Sequence, residues 1–247
     1  MLARTDRPSV AWPPSQVWLS AALFLTREPG MLAKHTRHLE TSSDRLHDQR
    51  SSVQALVMGL PAENHRRATY ADLLAVPSNM IAEIINGELR TMPRPAPRHA
   101  KASSVLGMRL GPPFQLGEGG PGGWQIIDEP ELHLNEDVLV PDLEGWRVER
   151  MLDLPETAYF PIAPDWVCEV LSPSTAAEDR AEKMPIYARE SVHHVWLIDP
   201  IARTLEVFAL DMSRRRWLLE GVHRDAACVR AAPFDAVELN LALLWAK

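Results

Sequence analysis

A short apolar run from Asp165 to Leu171 carries one carboxylate, Glu169, in its interior. Strand alternation places Trp166, Cys168 and Val170 on one face and Val167, Glu169 and Leu171 on the other. A glutamate in such a run is costly to bury unless a cation or a metal ion meets it; a plain salt bridge or an exposed sheet face is the alternative. Downstream, Thr175 with Glu178 three residues on reads as a capping box opening a helix to about Glu190. Val195 to Ile198 is apolar again and is closed by Asp199-Pro200. Strand, helix and strand in this order form a right-handed crossover with the two strands parallel. The chain is therefore expected to be α/β with a mixed sheet.

The rest of the pattern fits that frame. Thr69 is placed to cap a short helix from Tyr70 to Val76. Met80 to Ile85 and Glu88 to Met92 flank Asn86-Gly87, a two-residue hairpin turn in which both positions take positive φ. Pro93 to Pro97 is a stiff connector, and His99 to Leu110 has helical apolar spacing ended by Gly111-Pro112-Pro113. Gly117 to Gly123 lacks the following helix and the Lys-Ser/Thr of a phosphate-binding loop, so it reads as a surface turn. Trp124 to Asp128, Glu131 to Leu134 and Val138 to Val148 are expected strands. Thr204 to Leu210 and Arg216 to Leu219 pair as a late meander.

Residues 1–60 are different. They mix Pro, Ser, Arg and His, and Thr36 to Gln54 is polar nearly all round, so a helix there would lack a packing face. The expected organisation is a poorly structured extension over 1–60 and one folded domain over 61–247. Met58 opens the patterned sequence and is a candidate translation start, which would make the preceding residues an artefact of start assignment; the intact mass of the native protein tests this.

With 46% hydrophobic and 24% charged residues over 247 positions, composition is that of a soluble globular protein. Two cysteines, Cys168 and Cys228, give no disulfide framework, and a reducing, cytoplasmic setting is expected. No apolar run approaches the ~20 residues of a membrane helix. Val17 to Leu25 imitates a signal peptide but is followed by Thr26-Arg27-Glu28-Pro29 in place of a small-residue cleavage site. Charge is uneven: residues 1–67 hold nine Lys/Arg and six Asp/Glu, a net of +3, whereas residues 68–247 hold 17 and 27, a net of −10. An acidic domain argues against tight nonspecific DNA binding. A local basic patch can still steer a polyanion. Arg214-Arg215-Arg216 and the series Arg90, Arg94, Arg98, Lys101 are the candidates, against the plainer reading of solvated surface.

Two more residues join Glu169 as candidates for chemistry. Asp142 lies among apolar residues from Val138 to Leu143, and Pro141 before it removes a backbone donor, which suggests an edge or a bulge; a turn aspartate is the alternative. Lys183 lies on the helix after Glu169, with Asp179 four residues earlier as an ordinary ion-pair partner. Pro185 within that helix should kink it, and the kink would aim Lys183 back over the strand ends. His99 and His193-His194 lack partners at metal-ligand spacing. No Gly-x-Ser-x-Gly elbow supports serine hydrolysis.

Taken together, these residues resemble the Uma-two family of restriction-endonuclease-like proteins, in the PD-(D/E)xK nuclease superfamily. The matching stretches are Ala82 to Leu89, Met92-Pro93 through His99, Val140-Pro141-Asp142, Glu169 to Thr175, Asp179-Arg180 with Lys183 and Tyr187, and Val192 through Trp196 to Asp199-Pro200. The resemblance implies a restriction-endonuclease-like mixed β-sheet flanked by helices. It implies Asp142 and Glu169 as ligands of Mg²⁺ or Mn²⁺, ions that suit hard oxygen donors. The carbonyl of Val170 would be a further ligand and Glu83 an extra one. The superfamily pattern sets a lysine two residues after the glutamate, where this chain has Leu171; the family pattern moves it to Lys183, which would orient or help deprotonate the attacking water. Ser191 replaces a common glycine, and Ala176-Ala177 stand where arginines are often found, which weakens a basic DNA-facing edge. The expected activity is metal-dependent endonucleolytic hydrolysis of DNA. The alternative is a catalytically silent nuclease-fold module for binding or regulation, which the acidic domain favours. Pairing of two copies into a homodimer through an edge strand is left open.

Overall fold

Asn86 and Gly87, at φ 54° and 86°, close the hairpin of β1 (Met80–Ile85) and β2 (Glu88–Pro93), in antiparallel register from Met80 against Pro93 to Ile85 against Glu88. The computed structural model describes residues 66–246, which belong to one compact unit, Glu63–Lys247. The expectations for 1–60, for Met58 and for Val17 to Leu25 lie outside the described residues. Ahead of the hairpin, Thr69 caps α1 (Tyr70–Leu74) in a reciprocal box with Asp72.

One expected strand is two. Val138 to Val148 divides into β5 (Asp137–Leu139) and β6 (Leu143–Arg147), which lie in different sheets. Pro141 has no N–H to give a ladder, and the Val140 N–H donates instead to the Glu83 carboxylate at 2.7 Å. The chain leaves one sheet and enters the other across Val140-Pro141-Asp142. With β4 (Leu132–Leu134), the first sheet has the order β2-β1-β5-β4. The second has the order β10-β9-β8-β7-β6-β3, built from β3 (Trp124–Asp128), β6, β7 (Trp166–Val170), β8 (His194–Asp199), β9 (Thr204–Asp211) and β10 (Arg216–Arg224). β7 and β8 are parallel, as the strand–helix–strand passage requires, and the other pairings in both sheets are antiparallel. β11 (Cys228–Val229) and β12 (Leu239–Asn240) make a small separate pair. The expected mixed-sheet α/β class is what is found.

Two of the three helical expectations need correction. α2 spans Pro97–Leu110 but does not stop at Gly111-Pro112-Pro113. The chain continues as a wide turn, Gly111–Gln115, in which the Leu116 N–H reaches back five residues to Gly111. Two prolines cannot supply the usual bonds, and buried Phe114 holds the turn against the core. The helix after β7 is broken into α3 (Ala176–Glu178), a wide turn (Asp179–Lys183) and α4 (Met184–Arg189). Thr175 does not form the capping box; its hydroxyl faces that of Ser172 at 3.1 Å, and Ser172 accepts the Thr175 N–H. Pro185 explains the wide turn: it cannot donate to the preceding turn, and the Met184 N–H bonds to Asp179, five residues back.

The six-stranded sheet has a core on each face. On one, α2 lays Ala102, Leu106 and Leu110 against Trp166, Cys168 and Val170 of β7. On the other, Tyr187 and Ile186 of α4 and residues of the four-stranded sheet pack with Val167 and Leu171. The strand alternation of Asp165 to Leu171 is thus realised face by face. Phe234 sits among Trp124, Trp166 and Trp196 at ring separations of 4.8, 4.8 and 5.6 Å. Gly145 opposes Trp166 in this core, and a methyl group there would lie 3.2 Å from the Trp124 ring and 3.3 Å from the Trp166 ring. Both indoles are essentially inaccessible to solvent and cannot retreat. Gly145→Ala is expected to cost about 1–3 kcal/mol by overpacking, measured by chemical denaturation; an unchanged midpoint would show that the tryptophans yield.

Candidate metal-dependent active site

Asp142 sits where the chain enters β6, and its position follows from the ladder it terminates. β6 pairs with β7 only as far as Leu143 against Cys168, so the Val170 N–H beyond has no main-chain partner on that side. The Asp142 carboxylate takes it at 2.7 Å. The other Asp142 oxygen lies 3.4 Å from Nε2 of His99, from the first turn of α2. His99 had no partner at metal-ligand spacing in the sequence. Its partner is more than forty positions away, across a sheet switch that no local spacing signals.

Glu169 points to the other face of β7. It accepts the Tyr187 hydroxyl at 2.5 Å and lies 3.5 Å from the Lys183 ammonium. Lys183 is only 3% exposed and stands 3.0 Å from Glu83 and 3.5 Å from Asp179. The wide turn over Asp179–Lys183 buries both of its charged ends. Lys183 therefore does lean over the strand end toward Glu169, and Asp179 is more than a surface partner. Glu83 is bound to the Val140 N–H and Lys183 through one oxygen, while its other oxygen is buried without a hydrogen-bond partner. Glu144 of β6 is wholly buried with neither oxygen partnered.

Asp142, Glu169, Val170, His99, Asp179 and Lys183 all line one cleft of about 310 Å³. Glu83 is not among these lining residues; its carboxylate meets the Lys183 ammonium at 3.0 Å. Burial pushes the Asp142 carboxyl from its ordinary 3.8 up to about 7, against the pull of the Val170 N–H and Lys183. Burial likewise raises Glu169 well above the usual carboxylate range, with Lys183 opposing, and raises Glu144 and Asp179. For Lys183 burial is the largest influence and works against the charge, but Glu169, Glu83 and Asp179 together outweigh it and hold the ammonium firmly protonated. Three buried carboxylates, Glu83, Glu169 and Asp179, thus meet one buried ammonium, with Asp142 and Glu144 raised nearby. Such a set shares protons or takes up a further cation.

The donors fit a hard divalent cation. Asp142, Glu169 and Val170 line one cleft and offer carboxylate and carbonyl oxygens as donors, and the acid excess leaves them short of positive charge. Among the described residues no group of three or more His, Cys, Asp or Glu side chains is gathered at metal-holding geometry. A site for Mg²⁺ does not need one, because this ion keeps several waters and is commonly held by one or two carboxylates.

Two opposite stability effects are expected. In Asp142→Asn the amide oxygen still accepts the Val170 N–H, but no charge has to be buried. Because the folded pKa of Asp142 lies above its unfolded value, its contribution to wild-type stability is full below about pH 4 and is lost as pH rises toward 7. Asp142→Asn should therefore melt higher than wild type at pH 8 in EDTA, by roughly 2–4 °C for each kcal/mol relieved, with the gap closing toward pH 4. A gap that does not change with pH would contradict the raised carboxyl. Lys183→Met strands Glu83, Glu169 and Asp179 without their cation and should cost about 3–5 kcal/mol at pH 8. The loss should be smaller at pH 5, where the raised carboxyls take up protons; equal losses at both values would argue against the cluster.

The Uma2 family, described as "Putative restriction endonuclease", has a model that matches residues 67–242. Comparison with curated proteins finds no match. Among solved structures the chain is similar to a protein from Anabaena variabilis ATCC 29413 described as "a putative nuclease belonging to DUF820". The two are 21% identical, the match covers 72% of this chain and 97% of that one, and the TM-score is 0.59, a likeness of fold. The family match spans the hairpin of Glu83, the Pro141-Asp142 sheet switch, β7 and the broken helix of Lys183, and the chain belongs to the Uma2 family.

Proposed function

We propose that the protein is a metal-dependent endonuclease that hydrolyses phosphodiester bonds of DNA in the cytoplasm. The observation that carries this reading is the meeting of Asp142, Glu169 and the buried ammonium of Lys183 at one cleft. Asp142, Glu169 and the Val170 carbonyl would hold Mg²⁺ or Mn²⁺. When bound, such an ion supplies neutralisation of the phosphate charge and makes water at the site more acidic. Lys183 has a narrower role than a lysine free to titrate. Three carboxylates keep it charged, so it acts as a hydrogen-bond donor that orients the attacking water and not as the base that deprotonates it. Glu83 and Asp179 position that donor, and the Tyr187 hydroxyl fixes the Glu169 carboxylate. Cys168 and Cys228 are both free, in keeping with a reducing compartment. Among the described residues no helix is long and apolar enough to cross a membrane.

A second reading, a nuclease fold that binds without cutting, has one observation in its favour: Lys183 is already engaged by three carboxylates. The two separate in one experiment. Full-length protein is incubated with plasmid and with single-stranded DNA in Mg²⁺ or Mn²⁺, beside Asp142→Ala and Glu169→Ala. Wild type should cut at least ~100-fold faster than either variant, the scale expected when charge stabilisation at the reacting group is removed. Titration calorimetry with Mn²⁺ should show binding by wild type that both variants lose. If wild type cuts no better than the variants, the silent reading stands.

A further inference from the structure

Beside the cleft lies a second depression of about 310 Å³, walled by Arg98, Lys101, Arg203, Pro200 and Trp245. We infer that it binds backbone phosphates of the polynucleotide flanking the scissile bond, an inference that rests on the endonuclease reading of the neighbouring cleft.

Not every cation in this region is free. In the series Arg90, Arg94, Arg98 and Lys101, Arg90 is held by Glu88, Glu178 and Glu182, and Arg94 by Glu129. Among the described residues no carboxylate pairs with Arg98, Lys101 or Arg203; Lys101 donates only to the main-chain carbonyl of Ala246. All three are exposed. They come from two distant parts of the chain, the first turn of α2 and the turn between β8 and β9. The second turn is built to a definite shape: Asp199 accepts the N–H groups of Ile201 and Ala202, both at 2.8 Å, and Arg203 sits at φ 56°. A bulky residue in the left-handed region is uncommon. Here it brings a guanidinium to the cavity wall.

The walls suit a nucleic-acid strand. Trp245 is half-buried against the core of α2, and its indole N–H is satisfied by the Asp225 carbonyl at 2.8 Å, which leaves apolar ring surface at the cavity. Cations beside an aromatic surface are the usual furniture of a strand-tracking groove.

Position supplies the rest. β7 and β8 are parallel with Val170 opposite Ile198, so Val170 at the cleft and Pro200 at the cavity leave the sheet at neighbouring strand ends. On α2, His99 faces the cleft while Arg98 and Lys101 face the cavity. A nucleic-acid strand carries a phosphate about every 3.4 Å of helix axis. With one phosphate at Asp142 and Glu169, its neighbours pass over these cations. In a domain of net charge −10 over residues 68–247, a local cluster of this kind is what a polyanion requires.

The test is binding of a fluorescein-labelled 20-base-pair duplex to the full chain in EDTA, followed by anisotropy across a salt series. Arg98→Gln and Arg203→Asn (asparagine tolerates the left-handed backbone) should each weaken binding several-fold and lower the slope of log K against log salt by about 1, with the double variant near 2. Arg214→Gln with Arg216→Gln removes the same charge from the distant β9–β10 turn and should leave the slope unchanged. Equal losses in the control pair, or no loss in the cavity variants, would overturn the assignment. Asp142→Ala separates the two readings. If Asp142→Ala leaves cutting unaffected while Arg98 and Arg203 still set the salt slope, the endonuclease reading fails and the phosphate site stands. If cutting needs Asp142 but the slope ignores both arginines, the phosphate site fails alone.

Discussion

The buried ammonium of Lys183 is the interaction on which this architecture turns. It joins Glu83 of β1, Glu169 of β7 and Asp179 of the broken helix, one element from each sheet and the segment between β7 and β8. None of these charges could stay ionised alone at that depth. Breaking a buried network of this kind is far more damaging than its net contribution suggests, because the remaining partners keep their desolvation cost. The ammonium therefore sets the relative placement of three elements at the point where the cleft forms. It also defines what the cleft lacks. One cation against several carboxylates leaves Asp142 without a strong positive partner, and its carboxyl is correspondingly hard to ionise.

That shortage is arranged by the backbone. Pro141 ends one ladder and releases the chain into another, so Asp142 arrives at β7 one residue past the last β6–β7 pairing and caps the exposed Val170 N–H. Pro185 does the matching work on the other side. By denying its helix a hydrogen bond it opens a wide turn, and that turn carries Asp179 and Lys183 inward together. Two prolines, each a local fault in a regular element, thus point the acid and the ammonium at the same place.

Much of this was legible in the sequence, and what was not has physical reasons. β7 could be read from its near-continuous apolar run, because a strand covered on both faces needs apolar side chains on both, and Glu169 stood out as the one exception. The hairpin could be read from Asn86-Gly87, because few residue pairs tolerate two positive φ angles. The sheet switch at Pro141 could not be read from pattern, since β5 and β6 are both apolar and only long-range pairing tells them apart. Thr175 carries a capping signature that the structure does not use, because Ser172 competes for the same hydroxyl. At the site, Asp142, Glu169 and Lys183 were each visible as a local conflict: an acid among apolar residues, or a proline in a helix. Glu83 was placed among the metal ligands by family pattern, and the fold adds its contact with the Lys183 ammonium at 3.0 Å; Asp179 read as an ordinary ion-pair partner although it is buried. Such roles depend on which side chains meet across sheets, and one strand's periodicity says nothing of that.

Acidity, which at first argues against a nucleic-acid substrate, takes a different meaning once its distribution is known. Many of the acids in the domain already have work within it: Glu83, Glu169 and Asp179 on Lys183, Glu88, Glu178 and Glu182 on Arg90, Glu129 on Arg94. They silence two arginines that the sequence offers as a basic patch and leave the cations at the end of β8 unopposed. Net charge therefore predicts the long-range field and little about the contact surface. A polyanion approaching this domain meets general repulsion broken by local attraction at these cations, adjacent to a carboxylate-lined cleft short of positive charge. Repulsion elsewhere does not weaken such an arrangement as a recognition device. On the proposed endonuclease reading it would suppress unproductive binding over the rest of the surface and confine the strand to the strip beside Asp142 and Glu169.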